Sequence, residues 1–308
     1  MTMETAMTNT PDAALKIAFI GGGNMAAALI AGLAGKLTPG HNIHVVDPNT
    51  VALEKLHSQF GVTTATAIDA ALAACAVIVL AVKPQSMREV AAQLAPQLAP
   101  QLTQQLMQQV LRQQAAPAPG TGGPLILSIA AGIRAIDLAR WLGYDAIVRC
   151  MPNTPALIGL GISGMVATGS TSAAQQQLAD AIMSAVGATV WLDDETLIDP
   201  VTAVSGSGPA YVFYFIEAMQ QAAVEMGLSS AQGTQLALAT FVGATQLAAQ
   251  STEPVALLRE RVTSKGGTTH AALVSMEQSG VKEAIVAALK AAALRGKELG
   301  EQLGADAR

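Results

Sequence analysis

Two short stretches of this 308-residue chain have the composition to hold a small charged ligand. Late in the sequence, Val262-Thr263-Ser264-Lys265-Gly266-Gly267-Thr268-Thr269-His270 sets hydroxyls on both sides of paired glycines. It runs directly into a helical pattern (Ala271, Leu273, Val274, Met276, Glu277). Backbone N–H groups at such a helix start, together with the positive end of the helix dipole, attract an anion, and glycine lets that anion approach the backbone. No lysine follows the glycines as in a P-loop, so the site suits a carboxylate better than a polyphosphate. The competing reading is a Thr-capped helix behind a glycine turn, with no ligand.

Near the other end, Gly21-Gly22-Gly23-Asn24-Met25-Ala26 follows the apolar run Lys16-Ile17-Ala18-Phe19-Ile20 and precedes a helical pattern through Leu29, Ile30 and Leu33. This is a Gly-x-Gly-x-x-Ala fingerprint between strand and helix, the context in which it holds a dinucleotide. Gly21 permits the tight turn, Gly23 lets pyrophosphate reach the helix N-terminus, and Ala26 allows close helix–strand packing. A second strand, Ile43–Val46, ends at Asp47, 21 residues after Ala26. An acid there bonds ribose hydroxyls and favours NAD over NADP; it also serves to cap the helix opened by Pro48-Asn49-Thr50. The remaining cofactor candidates are Ile20, Asn24 and Met25 at the turn, Ala81, Val82, Lys83 and Pro84 after the branched run Val77–Val82, Ala130 and Ala131 after Leu125–Ile129, and Asn153. Asn153, between Pro152 and Pro155, either turns its amide to the crevice or belongs to a rigid crossover turn.

These residues need an α/β scaffold to position them. Strands alternate with helices up to about Leu192, and beyond Asp193-Asp194-Glu195 the pattern is Ala-rich and helical. The expected organisation is a disordered tail at 1–13, a Rossmann-like dinucleotide-binding domain at 14–193 in which a helix leads into a flexible insertion (about 93–123), and an all-helical domain at 194–308. The run Ala210–Ile216 after Pro209 is apolar on both faces, which predicts a buried helix and, in so apolar a domain, burial against another subunit.

Composition excludes several classes. A net charge of −5 leaves no basic footprint for nucleic acid. The longest uncharged apolar run, Ala70–Val82, is 13 residues, too short for a membrane span. Cys75 and Cys150 sit far apart in or beside apolar runs and read as reduced thiols, and residues 1–13 lack a secretory pattern, which together point to the cytoplasm. His41, His44, His57 and His270 have no metal-ligand spacing, so no metal is expected.

The fingerprint, Ala-Val-Lys-Pro after a middle strand, Met-Pro-Asn-Thr-Pro, Ser-Gly-Ser-Gly-Pro-Ala-Tyr and Val-Thr-Ser-x-Gly-Gly-Thr-Thr occur in that order. From Lys16 to the helix after Gly280 the chain resembles the pyrroline-5-carboxylate reductase family. The resemblance implies NAD(P)H-dependent reduction of 1-pyrroline-5-carboxylate to L-proline, the last step of proline biosynthesis. It also implies a dimer, in some members assembled into decamers, and a preference for NADPH, whereas Asp47 suggests NADH. By the same resemblance Ser264, Gly266, Gly267, Thr268 and Thr269 hold the substrate carboxylate, Thr269 is the catalytic hydroxyl at the ring nitrogen, and Glu195 contacts substrate. Lys265 stands where many members have proline. Rival readings are a related imine or 3-hydroxyacid reductase, or a nicotinamide-binding regulator without turnover. The hydroxyacid enzymes use a lysine of the helical domain, and here Lys265 is the only lysine between Lys83 and Lys282.

Overall fold

A computed structural model describes residues 15–111 and 123–305. The expected tail at 1–13, and residues 112–122 of the expected insertion, lie outside the described residues. The chain divides into two compact units, 1–206 with 294–308, and 207–293.

The first unit is built on an eight-stranded sheet. Its strands are β1 (Ile17–Ile20), β2 (Ile43–Val46), β3 (Thr63–Ala65), β4 (Val77–Leu80), β5 (Leu125–Ser128), β6 (Ile147–Met151), β7 (Gly161–Ala167) and β8 (Gly187–Trp191). They lie in the order β3-β2-β1-β4-β5-β6-β7-β8. All neighbours run parallel except β6 and β7, which are antiparallel. Strands buried on both faces need no polar alternation, and β1, β2 and β4 are buried at every position. The period of two sends Ile17 and Phe19 to one face and Ala18 and Ile20 to the other.

Helices cover both faces. Leu29, Ile30 and Leu33 of α1 (Asn24–Leu33), Leu53 and Leu56 of α2 (Thr50–Phe60), and Ile182 and Met183 of α5 (Ala173–Ser184) pack against Ile17, Phe19 and Val79. Met87, Ala91 and Leu94 of α3 (Met87–Leu111) and Leu138 and Leu142 of α4 (Ala135–Leu142) pack against Ile20, Ile78 and Ile126. The part of the expected insertion that is described, 93–111, is helix: α3 continues through Pro96, where the missing N–H removes one ladder bond. Cys75 and Cys150 are buried free thiols, and burial pushes both above the ordinary thiol range.

The first segment of the sheet unit closes with α6 (Ile198–Val201) and a π-helical segment, Thr202–Gly206. The second unit holds α7 (Gly208–Glu225), α8 (Ser230–Gln250), α9 (Val255–Arg261), α10 (Thr268–Gln278) and the first half of α11 (Val281–Gly304). Pro209 sits in the first turn of α7, where its missing N–H is harmless. Ser229 caps α8 in a reciprocal capping box with Gln232. The expected burial of α7 is not met within the chain: Phe213 is 61% and Tyr214 71% exposed, and Ala223 is its only buried residue among those described. The physical reason is that 87 residues in a few helices cannot cover so much apolar surface by themselves. No helix of the described residues is long and apolar enough to cross a membrane.

Candidate active site

At the carboxyl ends of β1, β2 and β4 the glycine turn is clamped by backbone. Gly21 donates its N–H to the Val46 carbonyl at 2.8 Å and has φ +105°, a conformation that favours glycine. A Cβ at Gly21 would lie 2.6 Å from the Ala81 carbonyl oxygen, so the turn is seated directly on the end of β4. Gly23 is the extended N-cap of α1, offers no side-chain cap, and has open space where its Cβ would be. The first N–H groups of α1 therefore point away from the fold uncapped, and no acid in the first turn opposes an anion. Asn24 and Gly23 are exposed, Met25 is half-buried and Ala26 is 1% exposed, which is the close helix–strand contact the fingerprint requires. These residues fit a dinucleotide pyrophosphate: a glycine cradle that a side chain would fill, and orphan donors above it.

Asp47 closes the adjacent corner. Its Oδ2 accepts the Gly22 N–H at 2.7 Å and its Oδ1 accepts the Asn49 N–H at 2.8 Å. The Asp47 carboxylate thus ties the glycine turn to the start of α2, whose cap is Asn49 rather than Asp47. Ala81 and Val82 are half-buried at the end of β4, Lys83 is exposed, and Pro84 opens a 3-10 turn. Ala130 is buried and Ala131 exposed in the turn between β5 and α4. This string of loops, from Ile20 to Ala131, lies along the carboxyl ends of adjacent parallel strands, where ligands bind in open α/β sheets.

Two expected site residues serve as braces. The Asn153 side chain donates Nδ2–H to the Ser205 carbonyl at 3.1 Å and accepts the Ile162 N–H at 3.0 Å. Its amide is engaged at both ends, the rigid crossover that the flanking prolines also allowed. Gly206 meets the same region: a Cβ there would lie 2.6 Å from Met151 Cε. The Met-Pro-Asn and Ser-Gly-Ser-Gly motifs therefore pack on one another. Glu195 Oε1 accepts both the Arg149 Nη1–H and the Ala135 N–H, each at 2.7 Å. Arg149, 5% exposed in the middle of β6, requires such a carboxylate. Ala135 is the first residue of α4, which has no side-chain cap from its own segment. Burial lifts the neighbouring Asp199 carboxyl above its ordinary range, with Arg149 and Lys297 opposing the shift.

Arg149 was not singled out from the sequence. A lone arginine in the apolar strand Ile147–Met151 is the signal that would have found it, because an unpaired buried charge is so costly.

The second unit carries the hydroxyl-rich turn. Thr263 Oγ1 donates to the Arg259 carbonyl at 2.6 Å, and Gly267 N–H donates to the Ser264 carbonyl at 3.0 Å. Gly266 has φ +74° with open space at its Cβ position. Gly267 is the extended N-cap of α10 and supplies no side-chain cap. The first turn of α10 contains no acid, and Ser264, Thr268, Thr269 and His270 are all exposed. Three uncapped N–H groups, those of Thr268, Thr269 and His270, stand beside three exposed hydroxyls. This arrangement can hold a carboxylate and still present a hydroxyl to a neighbouring polar atom.

Comparisons with known proteins bear on both units. Residues 195–299 match the family described as pyrroline-5-carboxylate reductase dimerisation. Residues 16–103 match NADP oxidoreductase coenzyme F420-dependent. A pyrroline-5-carboxylate reductase of Pseudomonas aeruginosa is 44% identical over 94% of this chain and 98% of its own length. The solved structure of a pyrroline-5-carboxylate reductase from Coxiella burnetii is 34% identical with a TM-score of 0.79, covering 93% of this chain and 98% of that one. A Plasmodium falciparum pyrroline carboxylate reductase, solved with NADP bound, is 27% identical with a TM-score of 0.76, covering 93% and 98%. With a relative 44% identical along nearly the whole of both chains and a dimerisation-family match over the helical unit, the chain belongs to the pyrroline-5-carboxylate reductase family.

Proposed function

We propose that this protein reduces 1-pyrroline-5-carboxylate to L-proline with NAD(P)H, the last step of proline biosynthesis. The observation that carries this reading is the uncapped start of α10, whose free N–H groups and exposed hydroxyls match a small anionic substrate rather than a phosphate chain. When bound, the reduced nicotinamide supplies the hydride, and the protein's task is orientation. The backbone N–H groups of Thr268 and Thr269, with Ser264 and the open backbone at Gly266 and Gly267, hold the carboxylate. The Thr269 hydroxyl hydrogen-bonds the ring nitrogen and favours its protonated, more electrophilic form. Such positioning of two reactants is worth roughly 7–11 kcal/mol of a barrier.

On the cofactor side, Ile20, Gly21, Gly23, Asn24 and Met25 receive the pyrophosphate, Asp47 the ribose, and Ala81, Val82, Lys83, Pro84, Ala130 and Ala131 line the rest. Glu195 and Asn153 act through the elements they brace. The functional division we propose is 14–193 for the dinucleotide and 194–308 for substrate binding and dimerisation. The exposed apolar face of α7 supports a dimer, and by family likeness a decamer of five dimers. Buried free thiols support a cytoplasmic location.

The decisive experiment is initial-rate measurement with pyrroline-5-carboxylate and each reduced dinucleotide in parallel. Cofactor oxidation dependent on the imine establishes the reductase. Dinucleotide binding without turnover establishes the regulator in its place.

A further inference from the structure

The turn between β5 and α4, Ile129-Ala130-Ala131-Gly132-Ile133, contains no polar side chain that could hold its own shape. Ala131 is exposed, so what the turn offers a ligand is backbone and contour. Its support comes from the far end of the chain. The last turns of α11 belong to the sheet unit, and two of their glycines bring backbone close to the start of α4. A Cβ at Gly300 would lie 3.6 Å from the Gly132 carbonyl oxygen and 3.5 Å from Arg134 Cγ. Seen from the turn, the Cβ position of Gly132 is 3.3 Å from Leu303 Cδ1 and 3.6 Å from Leu299 Cβ, so Leu303 covers it. At Gly304 no side chain fits: its Cβ would overlap Asp137 Oδ2 and stand 2.6 Å from Arg134 Nη2.

Charge fixes this docking. Asp137, 5% exposed, accepts from Arg134 Nε at 2.6 Å and from Arg140 Nη2 at 3.2 Å. Arg140 Nη2 also donates to the Gly304 carbonyl at 2.6 Å, and Arg88 Nη2 to that of Ala305 at 2.7 Å. Cations at the last carbonyls of a helix suit its dipole. The Arg88 guanidinium lies 5.1 Å from the centroid of the Trp141 ring, which joins α3, α4 and α11 at one point. On its other flank α4 is capped by Glu195 through the Ala135 N–H. The start of α4 is thus held from two sides. The strand order gives this turn its place: Asp47 ends β2 on one side of β1, and β5 lies on the other, where the second mononucleotide half of a Rossmann fold binds. A site made of backbone depends on the shell that fixes the backbone, and a misplacement of about 1 Å can cost about hundredfold.

We propose that the docked end of α11 is a positioning element of the dinucleotide site: Leu303 and Gly304 hold the Ala130–Gly132 turn in the contour that receives the nicotinamide half. The proposal rests on the dinucleotide site described above. The test is equilibrium binding to the full-length protein, with NADH and NADPH read by nicotinamide fluorescence. ADP and adenosine 2′,5′-bisphosphate, which reach only the adenosine end, are measured beside them by calorimetry. Leu303→Ala is expected to weaken the dinucleotides about tenfold and to leave the adenosine nucleotides within about twofold. Gly304→Ala is expected to act in the same direction and more strongly. Leu303→Met, which refills the cover, is expected to restore binding to within about twofold of the unaltered protein. Glu298→Gln, which removes only an exposed pair with Arg295 on the same helix, is expected to change neither ligand class. A purely structural role would lower the thermal midpoint and shift both ligand classes alike, and that pattern overturns the proposal. So does a Leu303→Ala protein that binds the dinucleotides as the unaltered protein does. If Gly304→Ala does not fold, Leu303→Ala decides alone. Both overturning results require an unaltered protein that binds dinucleotide. Its failure to bind either one would instead remove the reading of the site, and the proposal with it.

Discussion

The turns at Gly21–Asn24 and Ser264–Thr269 use the same local device in different surroundings. In each, a glycine N-cap is extended (Gly23 at φ −72°, ψ −177°; Gly267 at φ −80°, ψ 178°), no side chain caps the helix, and no acid occupies its first turn. The first is locked by strands on both sides, with the Gly21 Cβ position blocked by Ala81. The second is surrounded by exposed residues, and Gly266 has nothing within 4 Å of its Cβ position. A dinucleotide extends across several strand ends and needs a turn in fixed register with them. A small carboxylate needs only a few donors and a hydroxyl, so its turn can stand on a single helix.

Substitutions can break this contrast. Gly21→Ala meets both an unfavourable φ and a backbone oxygen, together about 4 kcal/mol. NADH binding in a titration should fall beyond detection, and a retained affinity within tenfold would show that the clamp yields. Glu195→Ala leaves Arg149 buried without its carboxylate and α4 without its cap, which should lower unfolding stability by about 3 kcal/mol in urea denaturation. A loss under 1 kcal/mol would mean that Asp199 or solvent replaces the pair. Thr269→Ala removes only a hydroxyl from an exposed turn. Its expected signature is a roughly hundredfold drop in kcat/KM with an unchanged dissociation constant for the dinucleotide; unchanged kcat/KM would strip Thr269 of its role. Gly266→Ala meets strain but no neighbour, about 1 kcal/mol. Its thermal unfolding midpoint should move by only a few degrees, and a shift matching that of Gly21→Ala would erase the distinction between the two turns.

The clamped turn was legible in the sequence because its constraints are local: strand, glycines and small residue fall within ten positions. The hydroxyl-rich turn was legible as a possible anion site for the same reason. What the sequence did not disclose depends on partners far along the chain. The motifs of Glu195 and Asn153 name no intramolecular partners, whereas Glu195 reaches Arg149 and Ala135, 46 and 60 residues away, and Asn153 reaches Ser205. Spacing alone does not say which carboxylate a buried arginine selects. The exposure of α7 within the chain agrees with the other half of its reading, burial against another subunit, because an all-round apolar helix predicts a covering surface without saying which chain supplies it.

Helix α11 gives its first half to the helical unit and returns its last residues to the sheet unit. There Leu303 and Gly300 lie against Gly132, Arg140 donates to the Gly304 carbonyl, and Arg88 donates to that of Ala305. The sheet unit is therefore complete only once residues 294–305 have been synthesised. At about 5–20 residues per second, the roughly 90 residues between Gly206 and Leu294 impose a wait of roughly 5–20 s on the nascent chain. During that wait the turn between β5 and α4 lacks its cover, so assembly of a competent first unit is decided by the segment after Leu294 rather than by the strands themselves.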